Sequence, residues 1–131
     1  MQVARRKQPP VPTEEARAIG ALLRGLRRAA GLRAVHDAAS LPECPAAAQT
    51  IYAYERGGLV PSLAQFLELV EFYTLRAPRG PDAKPEEDLR ALGVAAVVHA
   101  LGTPAYHVPQ AVRLMERLRP RPAPRRRGRG A

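Results

Sequence analysis

An all-α bundle is the fold class this sequence predicts, and three observations predict it. Apolar residues recur at helical spacing in several separate stretches, as in Ile19, Leu22, Leu23 and Leu26. No stretch alternates apolar and polar residues as a half-buried strand would. The 14 prolines of the 131 residues fall between the periodic stretches, where they end helices instead of kinking them.

The first 12 residues, with Pro9, Pro10 and Pro12, read as an extended arm whose Arg5, Arg6 and Lys7 meet no acid. Thr13 then offers a cap to a first helix, and Glu14 and Glu15 sit in its first turn, where the helix dipole favours carboxylates. Gly31 marks the stop of that helix. Arg17, Arg24, Arg27 and Arg28 fall off its apolar stripe, and Arg24, Arg27 and Arg28 read as either a solvated face or phosphate contacts. A short second helix is expected over residues 32–41, built on Leu32, Val35, Ala38, Ala39 and Leu41. Pro42 and Pro45 break the chain, and a third helix is expected over 46–56 with Ile51 and Tyr54 turned to the core. Ser62 and Gln65 have the spacing of a capping box, and Leu63, Phe66, Leu67 and Val70 form the expected buried stripe of a fourth helix.

Residues 77–84 are rich in Pro and Gly and read as a linker. Beyond it, Pro85 and the acids Glu86, Glu87 and Asp88 start a fifth helix with Leu89, Leu92, Ala96, Val97, Ala100 and Leu101 on one face. A sixth helix is expected at 109–118, presenting Val112, Met115 and Leu118. After Pro120 the tail is Pro/Arg-rich and low in complexity. The expected organisation is thus a basic arm (1–12), a helical domain (13–76), a linker (77–84), a two-helix appendage (85–119) and a disordered basic tail (120–131).

The net charge of +9 is concentrated in the arms. Residues 1–12 carry +3, and Arg121, Arg125, Arg126, Arg127 and Arg129 carry +5, which leaves +1 for residues 13–119. Such arms lack the apolar surface to order themselves, and polyanions suit them because phosphate neutralisation releases counterions. Chemistry is absent from the sequence. His36, His99 and His107 lack metal-ligand spacing, and the lone Cys44 makes neither an internal disulfide nor a zinc site. No phosphate loop, nucleophile elbow or carboxylate constellation occurs. The expectation is a non-enzyme without cofactor or metal. With no apolar run of membrane length, it is also expected to be soluble and cytoplasmic, without membrane contact.

Two segments carry a family resemblance. The stretch from Ile19 to Leu32 (IGALLRGLRRAAGL) resembles the first helix of the Xre/Cro, phage-repressor-like helix-turn-helix family. The stretch from Thr50 to Tyr73 is similar to its second signature: a recognition helix ending in Glu-x-Gly, a short loop, Pro-Ser and a Leu-rich helix. Ile51, Glu55, Gly57, Pro61, Ser62, Leu63 and Leu67 occupy the matching positions. The resemblance implies a small helix-turn-helix bundle over 13–75 acting as a DNA-binding, repressor-like transcriptional regulator at the nucleoid. The partner it implies is double-stranded DNA, with the third helix in the major groove.

On that resemblance Ala48, Gln49, Thr50 and Ala53 fall where the family reads bases, and Arg33, Tyr52, Arg56 and Gly58 fall near phosphates. The departures are specific. The interval from Leu32 to Glu55 is longer than usual, and Ala34 stands where Gln is common. Asp37 falls on an apolar position unless Val35 fills it, and helix three has no Arg or Lys before Arg56. Two other readings stay open: a protein-interaction module of adaptor or antitoxin type, and a nucleoid-type protein coating DNA without sequence preference. Residues 85–119 supply either homodimer contacts or the completion of a single core.

Overall fold

The computed structural model describes residues 13–106, and within them every regular element is helical. α1 spans Glu14–Ala29, α2 Val35–Ala39, α3 Ala48–Glu55, α4 Leu63–Glu71 and α5 Glu86–Leu101. A π-helical turn, Phe72–Arg76, extends α4, and a single 3₁₀ turn, Pro104–Tyr106, follows α5. The two basic arms and the sixth helix expected at 109–118 lie outside the described residues. Among the described residues no helix is long and apolar enough to cross a membrane.

The caps fix where the helices begin and end. The Thr13 hydroxyl accepts the Ala16 N–H at 3.0 Å, satisfying one of the orphan donors of α1. At the other end Gly31 takes φ +87°, so that its N–H reaches the Arg28 carbonyl and the Leu32 N–H reaches that of Arg27. α2 is shorter than the expected 32–41. Its start is fixed by Asp37, whose carboxylate accepts the Ala34 N–H at 3.0 Å. Val35 is buried and Asp37 exposed, so Val35 fills the apolar position that Asp37 could not. The Ser62 hydroxyl accepts the Gln65 N–H at 3.0 Å. The reciprocal half of the expected box, in which the Gln65 side-chain oxygen would accept the Ser62 N–H, is not made; the Gln65 amide N–H groups donate to the Pro45 carbonyl and to Glu68.

One core runs through all of these elements. Ile19, Leu23 and Leu26 of α1 meet Ile51 and Tyr54 of α3, Phe66, Leu69 and Val70 of α4, and Phe72 and Tyr73 of the π-helical turn. Each fully buried aliphatic here contributes on the order of 2 kcal/mol of burial free energy. Two stripes differ from expectation. On α4, Leu69 is buried and Leu67 lies 41% exposed. On α5, the buried face is Leu89, Gly93, Ala96 and Ala100, while Leu92 is exposed. Small residues on α5 let it lie close on the bundle, and that closeness chooses the face over side-chain size.

α5 completes this core, since Ala96, Ala100 and Tyr106 belong to the same buried cluster as Ile19 and Phe66. The loop at 77–84 separates no cores. Its Ala77 is buried, and the Lys84 N–H donates to the Ala29 carbonyl at the end of α1 at 2.8 Å. Asp82 pairs with Arg33 at 3.1 Å across the same junction.

Candidate functional site

α3 is short and has no side-chain cap at its start, so its position depends on what packs against it. Ile51 is fully buried and Tyr54 nearly so, which pins one face to α1 and α2. The end of α3 lies against α1 at Gly20: a Cβ there would collide with the Tyr54 carbonyl oxygen. Only a residue without a side chain lets the two backbones approach so closely. α3 stops at Gly57, whose φ of +77° lets the Gly57 and Gly58 N–H groups bond back to the Tyr54 and Ala53 carbonyls.

With Ile51 and Tyr54 inward, the opposite face carries Gln49, Tyr52, Ala53 and Arg56 at positions i, i+3, i+4 and i+7. Gln49, Tyr52 and Arg56 are exposed, and Ala53 is half-buried. Ala48 and Thr50 flank this face and are also half-buried. Of the four residues expected to read bases, Gln49 and Ala53 therefore share one outward stripe, while Ala48 and Thr50 sit at its borders. Gly58 is not a free anion donor, because its N–H is committed to the Ala53 carbonyl at 2.9 Å. Its role is to stop the helix.

Beside α3 lies a polar cleft of about 600 Å³ lined by Arg24, Arg27, Arg33, Ala34, Val35, Tyr52, Glu55 and Arg56. Its floor is an ion pair between α1 and α3. Arg27 Nε donates to one Glu55 oxygen at 2.8 Å and Nη2 to the other at 2.9 Å, in the two-pronged geometry that makes arginine–carboxylate pairs strong. The hydrogen bond to Glu55 raises the Arg27 pKa, outweighing burial, which pulls it down. Arg27 Nη1 also donates to the Leu32 and Arg33 carbonyls, at 2.9 and 2.6 Å. One guanidinium thus joins α1, the segment leading into α2, and the last residue of α3. Arg27 is 4% exposed, which corrects the solvated-face reading of it.

The rim of this cleft is cationic. Arg24 approaches Glu55 only at 4.0 Å and is half exposed. Arg33 precedes α2 as an exposed side chain, and Arg56 caps α3. Arg33 and Arg56 were expected near phosphates. For Arg24 the sequence allows either a solvated face or a phosphate contact, and it stands one helical turn from Arg27 on α1. The charge asymmetry extends to the whole half-molecule: between residues 17 and 58, Arg17, Arg24, Arg27, Arg28, Arg33 and Arg56 face Asp37, Glu43 and Glu55 alone.

The connection from α2 to α3 runs from Ser40 to Ala47, longer than the usual three or four residues of a helix-turn-helix. Cys44 lies in it half-buried, its thiol donating to the Ala46 carbonyl at 3.3 Å. Burial raises the Cys44 pKa, which favours the unreactive thiol over the thiolate.

No family model matches this chain, and no curated protein or solved structure matches it.

Proposed function

We propose that this protein is a DNA-binding, repressor-like transcriptional regulator of helix-turn-helix type, similar to the Xre/Cro family, acting in the cytoplasm at the nucleoid. The observation that carries the reading is the outward stripe of Gln49, Tyr52, Ala53 and Arg56 on α3, bordered by the arginine rim of Arg24, Arg33 and Arg56. In this reading α3 enters the major groove. The Gln49 amide suits the paired donor and acceptor of adenine, and Ala53 or Thr50 suits a thymine methyl. The Tyr52 hydroxyl and the rim arginines hold the flanking phosphates, which set register without reading sequence. The Arg-rich arms at 5–7 and 121–129 add non-specific attraction to the duplex.

Selection of bound fragments from random duplex DNA tests this directly. A short recovered motif whose preference changes with Gln49→Ala is the expected result. Recovery of every sequence alike points to a coating protein, and recovery of none removes DNA from the account.

A second reading, a protein-interaction module, is favoured by one feature: α3 has no basic side chain before Arg56. The same selection separates it, since such a module enriches no duplex.

A further inference from the structure

We propose that the groove between α4, its π-helical turn and α5 is the seat of this chain's own residues 109–118, folded back as an amphipathic helix. The groove, about 600 Å³, is lined by Leu67, Val70, Thr74, Leu75, Gly93, Val94, Val97 and Val98, with Glu71 and Arg90 at its edges. Val94 and Val98 stand one turn apart on α5 at 65% and 61% exposure, and Leu75 lies 47% exposed on the facing wall. A contiguous apolar surface of this kind marks a place where another element packs. The π-helical turn contributes to it. Its wide turn, closed by the Ala77 N–H on the Phe72 carbonyl at 2.8 Å, buries Phe72, Tyr73 and Thr74 and leaves Leu75 outside on the groove wall.

The occupant follows from where the described chain ends and from what comes next. Tyr106 is anchored beside the first turn of α4: its hydroxyl donates to the Pro61 carbonyl at 2.6 Å, and its ring lies 5.8 Å from that of Phe66. Leu67, at one end of the groove, is the next residue after Phe66. From Tyr106 to Pro109 the chain spans up to about 10 Å. Residues 109–118 would form a helix of about 15 Å, which matches the roughly 12 Å from Val98 back to Arg90 on α5. Within that segment Ala111, Val112, Leu114, Met115 and Leu118 fall on one helical face, and Arg113, Glu116 and Arg117 on the other.

Charge selects this groove over its neighbour. A second depression, between α1 and α5, is bordered by Arg28, Lys84 and His99, and by Asp82, whose carboxylate is already paired with Arg33, so its free charge is positive. A segment bearing Arg113, Arg117 and Arg119 against Glu116 alone is repelled there. The α4–α5 groove has one acid and one base at its edge, so it carries no such penalty.

Disulfide trapping in the full chain tests the proposal, in a Cys44→Ala background. Val94→Cys is paired either with Met115→Cys, on the apolar face, or with Arg113→Cys, on the polar one. Docking in the same chain gives a disulfide-linked monomer at least tenfold faster for Met115→Cys than for Arg113→Cys. Equal rates overturn the proposal, and so does a disulfide-linked dimer, which would place a second copy in the groove. In the intact chain, Met115→Asp lowers Tm by about 4 °C or more and increases binding of the apolar dye anilinonaphthalene sulfonate. An unchanged Tm with unchanged dye binding also overturns it.

Discussion

Arg27 and Glu55, 28 residues apart in sequence, face each other as a buried two-pronged ion pair that fixes the last residue of α3 to α1. Both side chains are nearly excluded from water, at 5% and 6% exposure. A pair in such surroundings adds little when compared with a well-packed apolar substitute, yet losing one partner strands a charge. The pair therefore matters most for orientation. The same guanidinium holds the Leu32 and Arg33 carbonyls, so α3 and the start of α2 share one anchor.

Glu55→Gln is expected to cost about 3–5 kcal/mol, because Arg27 stays charged and buried without its counter-ion. Urea denaturation checks this. Glu55→Gln together with Arg27→Met should recover much of that loss. A single-variant cost under about 1 kcal/mol would mean that the pair is solvated in solution.

Gly20 and Gly25 lie on the same helix and should respond oppositely to alanine. At Gly20 the added methyl meets the Tyr54 carbonyl, and overpacking against backbone costs about 1–3 kcal/mol. At Gly25 nothing lies within 4 Å, so alanine gains its helix propensity, about 1 kcal/mol. Thermal melts of the two variants should move in opposite directions from the parent.

The Tyr73 hydroxyl is buried and finds no hydrogen-bond partner among the described residues. Tyr73→Phe should therefore stabilise the protein, by about 1 kcal/mol, since the group is desolvated in the fold and hydrated in the unfolded chain. A loss of stability would show that the hydroxyl is bonded in solution.

Alkaline pH should unfold the protein within a defined window. Burial, with a smaller contribution from Tyr54, pushes the Tyr106 pKa up to about 12, against about 10 in the unfolded chain. The folded state keeps the proton that the unfolded state releases. Stability is thus complete below about pH 10 and falls as pH rises towards 12. Burial also raises Tyr73, in the same direction. Tyr106→Phe should make the fall shallower, at the expense of about 1 kcal/mol at neutral pH for the lost bond to Pro61. Melting temperatures across pH 8–12 read both effects.

If DNA is the partner, the rim arginines and α3 should separate by their salt response. Arg33→Ala and Arg56→Ala should each weaken binding to all duplexes and reduce the slope of log affinity against log salt by about 1. Gln49→Ala should leave that slope unchanged and relax preference at one base pair. Fluorescence anisotropy on two duplexes at several salt concentrations distinguishes them.

Much of the fold was legible because it rests on local rules. Thr13, Gly31 and Ser62 act as caps through interactions that span only a few residues, and each stands where the sequence places it. The core faces of α1 and α3 were legible from spacing alone. The burial of Leu69 in place of Leu67, and the exposure of Leu92, were not. Both lie on helices with apolar residues on more than one side, and there the neighbour decides which side is covered.

The candidate site divides in the same way. Gln49, Tyr52 and Arg56 could be placed on the outer face once Ile51 and Tyr54 were placed inside, since helix periodicity links them. Arg27 could not be told from Arg24 or Arg28, because its partner Glu55 lies on another helix and spacing along one chain carries no trace of that meeting. Nor did spacing show that the Gly58 N–H is already taken by Ala53.

The helices, most of their caps and the concentration of charge in the two arms follow from the order of residues, because these depend on neighbours within a turn or on composition. Packing between distant segments is what makes α5 join the core of α1 and α4, ties the 77–84 loop to the end of α1, and lets one arginine organise the cleft beside α3. Those outcomes depend on close approach between segments far apart in the chain, where a missing Cβ or a single buried charge pair sets which faces meet.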